Sequence, residues 1–212
     1  MKNDLTPGNL KVYTAKAITV IFHPLFMPLY GLILIFTAPT LLYYLPPGVK
    51  RIMILLILVN NILMPLALIP FFRYKNIIGS WTMESRNDRV IPLLMVSVFY
   101  FVTSFIMIRF SIPFLIKSYF ISVSVLSLII LTINFFWKIS IHSAGAGAMT
   151  GLILMLWVIM GVNLAWYLVP VLVLSGLIMT SRLMLNTHSP AQVYSGFLTG
   201  LAVVSAVMLI FK

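Results

Sequence analysis

The sequence predicts an all-α integral membrane protein, a bundle of six or seven transmembrane helices. Three observations carry that prediction. Of the 212 residues, 62% are hydrophobic and only 8% are charged. Mean hydropathy is +1.13, more apolar surface than a soluble core of this size can hide. The apolar residues also fall into runs close to the roughly 20 residues that a spanning helix needs.

Taken in order, the runs cover about 17–44, 51–72, 90–108, 113–136, 144–161, 164–180 and 191–211. Pro24, Pro28 and Pro39 interrupt the first, which predicts a kinked or partly re-entrant segment. Pro46, Pro47 and Gly48 form a turn before the second. Residues 73–89, RYKNIIGSWTMESRNDR, are the longest polar break and suit the membrane interface. Short connections at 109–113 and 162–163 require antiparallel neighbours. The N-terminal MKNDLTPGNLKVYTAK is polar and precedes no convincing cleavage site, so the first run is expected to be retained. The chain reads as a single membrane domain over 1–212, with no obvious internal repeat.

Net charge is +11, but the cations stand singly between apolar runs. That pattern suits phosphate-bearing lipids and topology signals, and it lacks the continuous basic face that nucleic acid requires. Expected partners are therefore membrane lipids and no nucleic acid, in a bacterial inner membrane. With seven crossings, the loops after the second, fourth and sixth helices share one face. They hold RNDR (86–89), WKISIHSAG (137–145) and SRLMLNTHSPAQ (181–192). That face also carries nine Lys/Arg against five on the other, yet four of the nine are site candidates, so charge leaves the orientation open.

The inventory of reactive groups is narrow. There is no cysteine, which excludes disulfides and thiolate chemistry. Asp4, Glu84 and Asp88 are the only acids, too few for paired-carboxylate hydrolysis or a carboxylate-rich metal site. Histidines, cations and small polar groups remain. They suit phosphate chemistry in which one histidine attacks phosphorus, cations hold the oxygens and another histidine protonates the leaving group.

At these residues the chain resembles the type 2 phosphatidic acid phosphatase and vanadium haloperoxidase superfamily. Its third motif is Ser-Arg, five residues, His, three residues, Asp; Ser181-Arg182, His188 and Gln192 reproduce that spacing with glutamine for the acid. Its second, Pro-Ser-Gly-His, is matched by Ser140 and His142 within Ile139-Ser140-Ile141-His142. Its first, Lys, six residues, Arg-Pro, is met only by Arg86 and Arg89 with Pro92 following. The resemblance covers about residues 80–210. It implies His188 as nucleophile and His142 as general acid. Arg182, Arg86, Arg89, Lys138 and Ser140 would hold phosphate oxygens, and Gln192 would orient the nucleophile. It implies no metal and no cofactor, and a phosphorylated lipid substrate, a phosphate or pyrophosphate.

Gln192 is the departure that matters. An amide oxygen accepts the imidazole N–H but lacks the anion's charge, and losing a comparable aspartate in serine proteases costs on the order of 10⁴ in rate. Glu84 or Asp88 would compensate if the first loop folded over the site. The alternative functional class is a non-catalytic member that binds or translocates a phosphorylated lipid. An unrelated channel or transporter would leave the triple match a coincidence. His23, within FHPLFMP, matches no motif and is expected to be structural or to face water. Trp81, Trp137, Trp157 and Trp166 read as interface aromatics. Gly147 and Gly151 read as helix-packing contacts.

Overall fold

The computed structural model describes residues 7–79 and 85–211; Glu84 and Trp81 lie outside them. Helices among the described residues are α1 (Pro7–Ile21), α2 (Met27–Thr37), α3 (Pro47–Ile57), α4 (Met64–Tyr74) and α5 (Val90–Arg109). They continue with α6 (Phe114–Phe136), α7 (Ile141–Met160), α8 (Ala165–Met184) and α9 (Pro190–Ile210). No strand occurs among the described residues. Among the described residues, seven segments are long and apolar enough to cross a membrane, and the chain is an all-α integral membrane protein.

The last five helices are single, uninterrupted spans. The first two spans are composite. Asn9–Thr37 is broken by a 3₁₀ turn at Pro24–Phe26 between α1 and α2. Pro47–Tyr74 passes through a π segment, Leu58–Leu63, between α3 and α4. In the π segment the Asn60 side chain donates to the Phe99 carbonyl at 2.8 Å and to the Thr103 hydroxyl at 2.6 Å. The widened turn is thereby tied to α5 by side-chain bonds, as an amide buried among helices requires.

Two helix ends differ from the apolar runs for a physical reason. Helix α7 begins at Ile141, three residues before its apolar run, because Ser140 caps it: the Ser140 hydroxyl accepts the Ser143 N–H at 3.4 Å. Helix α8 continues to Met184, past the hydropathy boundary at 180, carrying Ser181 and Arg182 as buried residues. Polar residues at a site extend a helix beyond what hydropathy marks.

Helix α7 is the centre of the bundle. In its most apolar window 72% of the residues are buried, against 28% in α8 and α9. Its tightest partner is α9, and glycines explain why. A Cβ added at Gly147, Gly196 or Gly200 would collide with the backbone carbonyls of Phe197, Ser140 and Ala144 respectively. Only hydrogen fits, so the two backbones meet directly, as small residues permit in membranes. The contact continues beyond the helix start, where the Ser140 N–H donates to the Gln192 carbonyl at 3.2 Å. The segments around Ser140 and Gln192 are thus held together by backbone.

Candidate active site

A cavity of about 320 Å³ opens between the helices at the end where α5, α7 and α9 begin and α8 finishes. His23, Arg89, His142, Arg182 and His188 line it, above apolar walls that include Leu93, Val96, Leu126 and Met149. Arg89, Arg182 and His188 are 9%, 8% and 7% exposed, His142 is half-buried and His23 is exposed. The N-terminal ends of three long helices converge here, and their dipoles favour an anion. Among the described residues, no acidic side chain lines the cavity.

His188 sits in the connection between α8 and α9, and its protonation follows from its neighbours. Ser189 caps α9 by accepting the Gln192 N–H at 3.4 Å, and the Gln192 Oε1 accepts the Ser189 N–H at 3.3 Å. This reciprocal capping box fixes the amide oxygen toward the loop. The same Oε1 lies 3.0 Å from His188 Nδ1, so that nitrogen must carry a hydrogen. Nε2 is left as a bare lone pair. Burial lowers the His188 pKa most, and the positive charges of Arg89, Arg182 and Lys138 lower it further. The Gln192 hydrogen bond opposes them, and the net is a pKa of about 4 against an ordinary 6.5. At neutral pH His188 is an uncharged, oriented imidazole.

The cationic wall is uneven. Arg182 donates to the Thr19 hydroxyl at 3.4 Å, and its buried Nε–H has no hydrogen-bond partner among the described residues. A buried guanidinium with an unmet donor is costly unless an anion supplies the acceptor. Arg89 lines the cavity, whereas Arg86 does not: Arg86 donates to the Phe136 carbonyl at 2.8 Å, and its own carbonyl accepts from Asn134 at 3.0 Å. Arg86 thus ties the end of α6 to the first loop. Lys138 is half-buried, near enough for its charge to act on His188, but it does not line the cavity. Ser140 is fully buried as the α7 cap, its hydroxyl also accepting from Ser143 Oγ at 2.9 Å, and it too is absent from the lining. Asp88 accepts the Gly79 N–H at 3.1 Å within the first loop and does not line the cavity.

The broken first span supplies what sequence reasoning missed. Pro24 has no N–H to give the Val20 carbonyl, so the His23 N–H turns to that carbonyl instead, at 3.3 Å. The Thr19 carbonyl then lacks the His23 N–H, its partner in a continuous helix, and His142 Nε2 takes it at 3.2 Å. Likewise the Leu25 N–H is diverted to His23 Nδ1 at 3.3 Å, and the Ile21 carbonyl it would have served accepts the Tyr30 hydroxyl at 2.8 Å. The kink therefore creates acceptors, and one of them orients His142. The His23 ring meets the His142 ring edge-on, with centroids 5.5 Å apart. The available sequence signal was a histidine directly before a proline inside an apolar run.

No protein-family model, no curated protein and no solved structure matches the chain.

Proposed function

We propose that the protein dephosphorylates a lipid phosphate or pyrophosphate through a phosphohistidine on His188, without a metal ion. One observation carries the reading: a bare, buried imidazole nitrogen shares a cavity with two buried arginines, one of which has an unmet N–H. An imidazole poised as a nucleophile beside guanidinium donors suits attack on phosphorus, where the developing charge lies on equatorial oxygens. Motif order and spacing give the same assignment through the resemblance to type 2 phosphatidic acid phosphatases.

In this reading Arg89 and Arg182 hold the phosphoryl oxygens, and His188 Nε2 attacks in line. The electron pair of the breaking P–O bond stays on the departing oxygen, which receives a proton from the histidine side of the cavity. Water then attacks the phosphohistidine and phosphate leaves. The amide of Gln192 holds Nδ1–H throughout but supplies no charge to the imidazolium-like transition state. The apolar walls below the cationic end accept the lipid's hydrocarbon, which favours a lipid over a soluble ester. An inner bacterial membrane as location belongs to the same proposal.

Gln192 favours one rival, a protein that binds or translocates a phosphorylated lipid with the same pocket. Purified protein in detergent with EDTA, offered a panel of lipid phosphates, separates the two. Inorganic phosphate release that is lost in His188→Ala supports the enzyme. Saturable lipid binding with no release supports the rival.

A further inference from the structure

We infer that His23 is a catalytic residue of the same reaction, forming with His142 a two-histidine site that delivers the proton to the leaving oxygen. The inference rests on the phosphatase reading and adds to it a residue outside all three motifs. Its basis is geometric. A carbonyl only accepts, so the His142 Nε2 facing Thr19 carries the hydrogen, and in the neutral ring Nδ1 is bare. A backbone N–H only donates, so the His23 Nδ1 facing Leu25 is bare and its Nε2 carries the hydrogen. The neutral His142 therefore has its one N–H committed to backbone. The neutral His23 keeps its N–H uncommitted to any described residue, on an exposed ring that lines the cavity.

Two imidazoles with ring centroids 5.5 Å apart, with Arg182 and Arg89 on the same cavity, hold at most one extra proton between them. The dianionic phosphate supplies the negative charge that makes that proton stable. In the first step the His188 Nε2–P bond forms and the P–O bond to the alcohol breaks. The alcohol oxygen keeps the electron pair and takes the shared proton, leaving both rings neutral. In the second step a water oxygen bonds to phosphorus, the N–P bond returns its pair to Nε2, and the water proton restores the histidine pair. The charged and titratable groups that line the cavity with His23 are His142 from α7, Arg182 from α8, Arg89 beside α5, His188, Tyr100 from α5 and Tyr119 from α6.

The bland role for His23 is its cap on the 3₁₀ turn, and asparagine preserves it, because the Asn Oδ1 accepts the Leu25 N–H as Nδ1 does. The test compares wild type and His23→Asn, as full chains in detergent, on dodecyl phosphate and on p-nitrophenyl phosphate. The alkoxide needs a proton to leave, and nitrophenolate does not. Expected is a loss of roughly 10- to 100-fold in kcat on dodecyl phosphate, with p-nitrophenyl phosphate changed less than about threefold. Equal losses on both probes, or none on either, overturn the proton role while leaving the phosphatase reading standing. His23→Ala adds a control: if it loses thermal stability that Asn retains, yet both lose the dodecyl rate, capping and proton delivery are separate functions of one ring. A wild type inert on both probes removes the phosphatase reading itself, and the step with it.

Discussion

The two sides of the cavity are built by opposite means. The side proposed to hold the nucleophile, His188 with Gln192 and Arg182, comes from regular structure: α9 starts at a reciprocal capping box, and glycines bring it directly against α7. The opposite side, His142 with Thr19 and His23, comes from a failure of regular structure, the break at Phe22–Pro24 that strips carbonyls of their helical donors. Capping fixes one imidazole by satisfying a helix end. Breaking fixes the other by leaving a helix end unsatisfied. A buried site in a membrane uses both, because every backbone group released by a kink must find a partner inside the protein.

If that contrast holds, disrupting the regular side should cost most. Arg182→Ala removes the guanidinium with the unmet N–H and should lower kcat on a lipid phosphate roughly 10²- to 10³-fold, read by phosphate release. Arg86→Ala, whose guanidinium serves the Phe136 carbonyl, should change that rate less than about threefold. Next, Gly200→Ala places a methyl on the Ala144 carbonyl and should destabilise the α7–α9 pair by about 1–3 kcal/mol. Thermal unfolding in detergent reads that loss, which should exceed the loss from Gly176→Ala, where a Cβ meets nothing.

A gain is expected at Gln192. Glutamate keeps the acceptor position of the capping box, whereas aspartate is a methylene shorter, so Gln192→Glu is the cleaner way to place a negative charge beside His188. It should raise the rate about tenfold and move the His188 pKa up from about 4 toward its ordinary 6.5. The sign for the wild type follows from that low value. Unfolded chain binds a proton near 6.5 and folded chain only near 4, so the stability His188 contributes is fully present above about 6.5 and is lost as pH falls toward 4. In Gln192→Glu the loss should be smaller over that window, read by melting temperature against pH. Removing the break itself should cost less than removing the side chains it orients. Pro24→Ala restores a donor for the Val20 carbonyl and frees the His23 N–H to return to Thr19, in competition with His142. Activity should fall severalfold with melting temperature unchanged or higher.

This contrast also explains what was legible in the sequence. The five regular spans from Val90 onward follow the apolar runs closely, because hydropathy over 20 residues is a strong signal. Crossing parity alone brought Arg89, His142, Arg182 and His188 to one face. Which arginine faces the cavity was not legible, since Arg86 and Arg89 differ by less than one helical turn and loop hydrogen bonds decide between them. Ser140 was expected to hold phosphate oxygens but is committed to the α7 cap, a local bond that spacing does not reveal. His23, expected to be structural or to face water, caps the 3₁₀ turn and is exposed; its ring contact with His142 was not legible, because that partner lies on a helix more than a hundred residues away.

The central claim is that His188 Nε2 is the atom that bonds to phosphorus. Rapid quench of the full-length protein with a ³²P-labelled lipid phosphate tests it most directly. A phosphoprotein labile to acid and stable to base, mapped to His188 and missing in His188→Ala, is the predicted result. Turnover by wild type with no such adduct, or with the label on another residue, would contradict it.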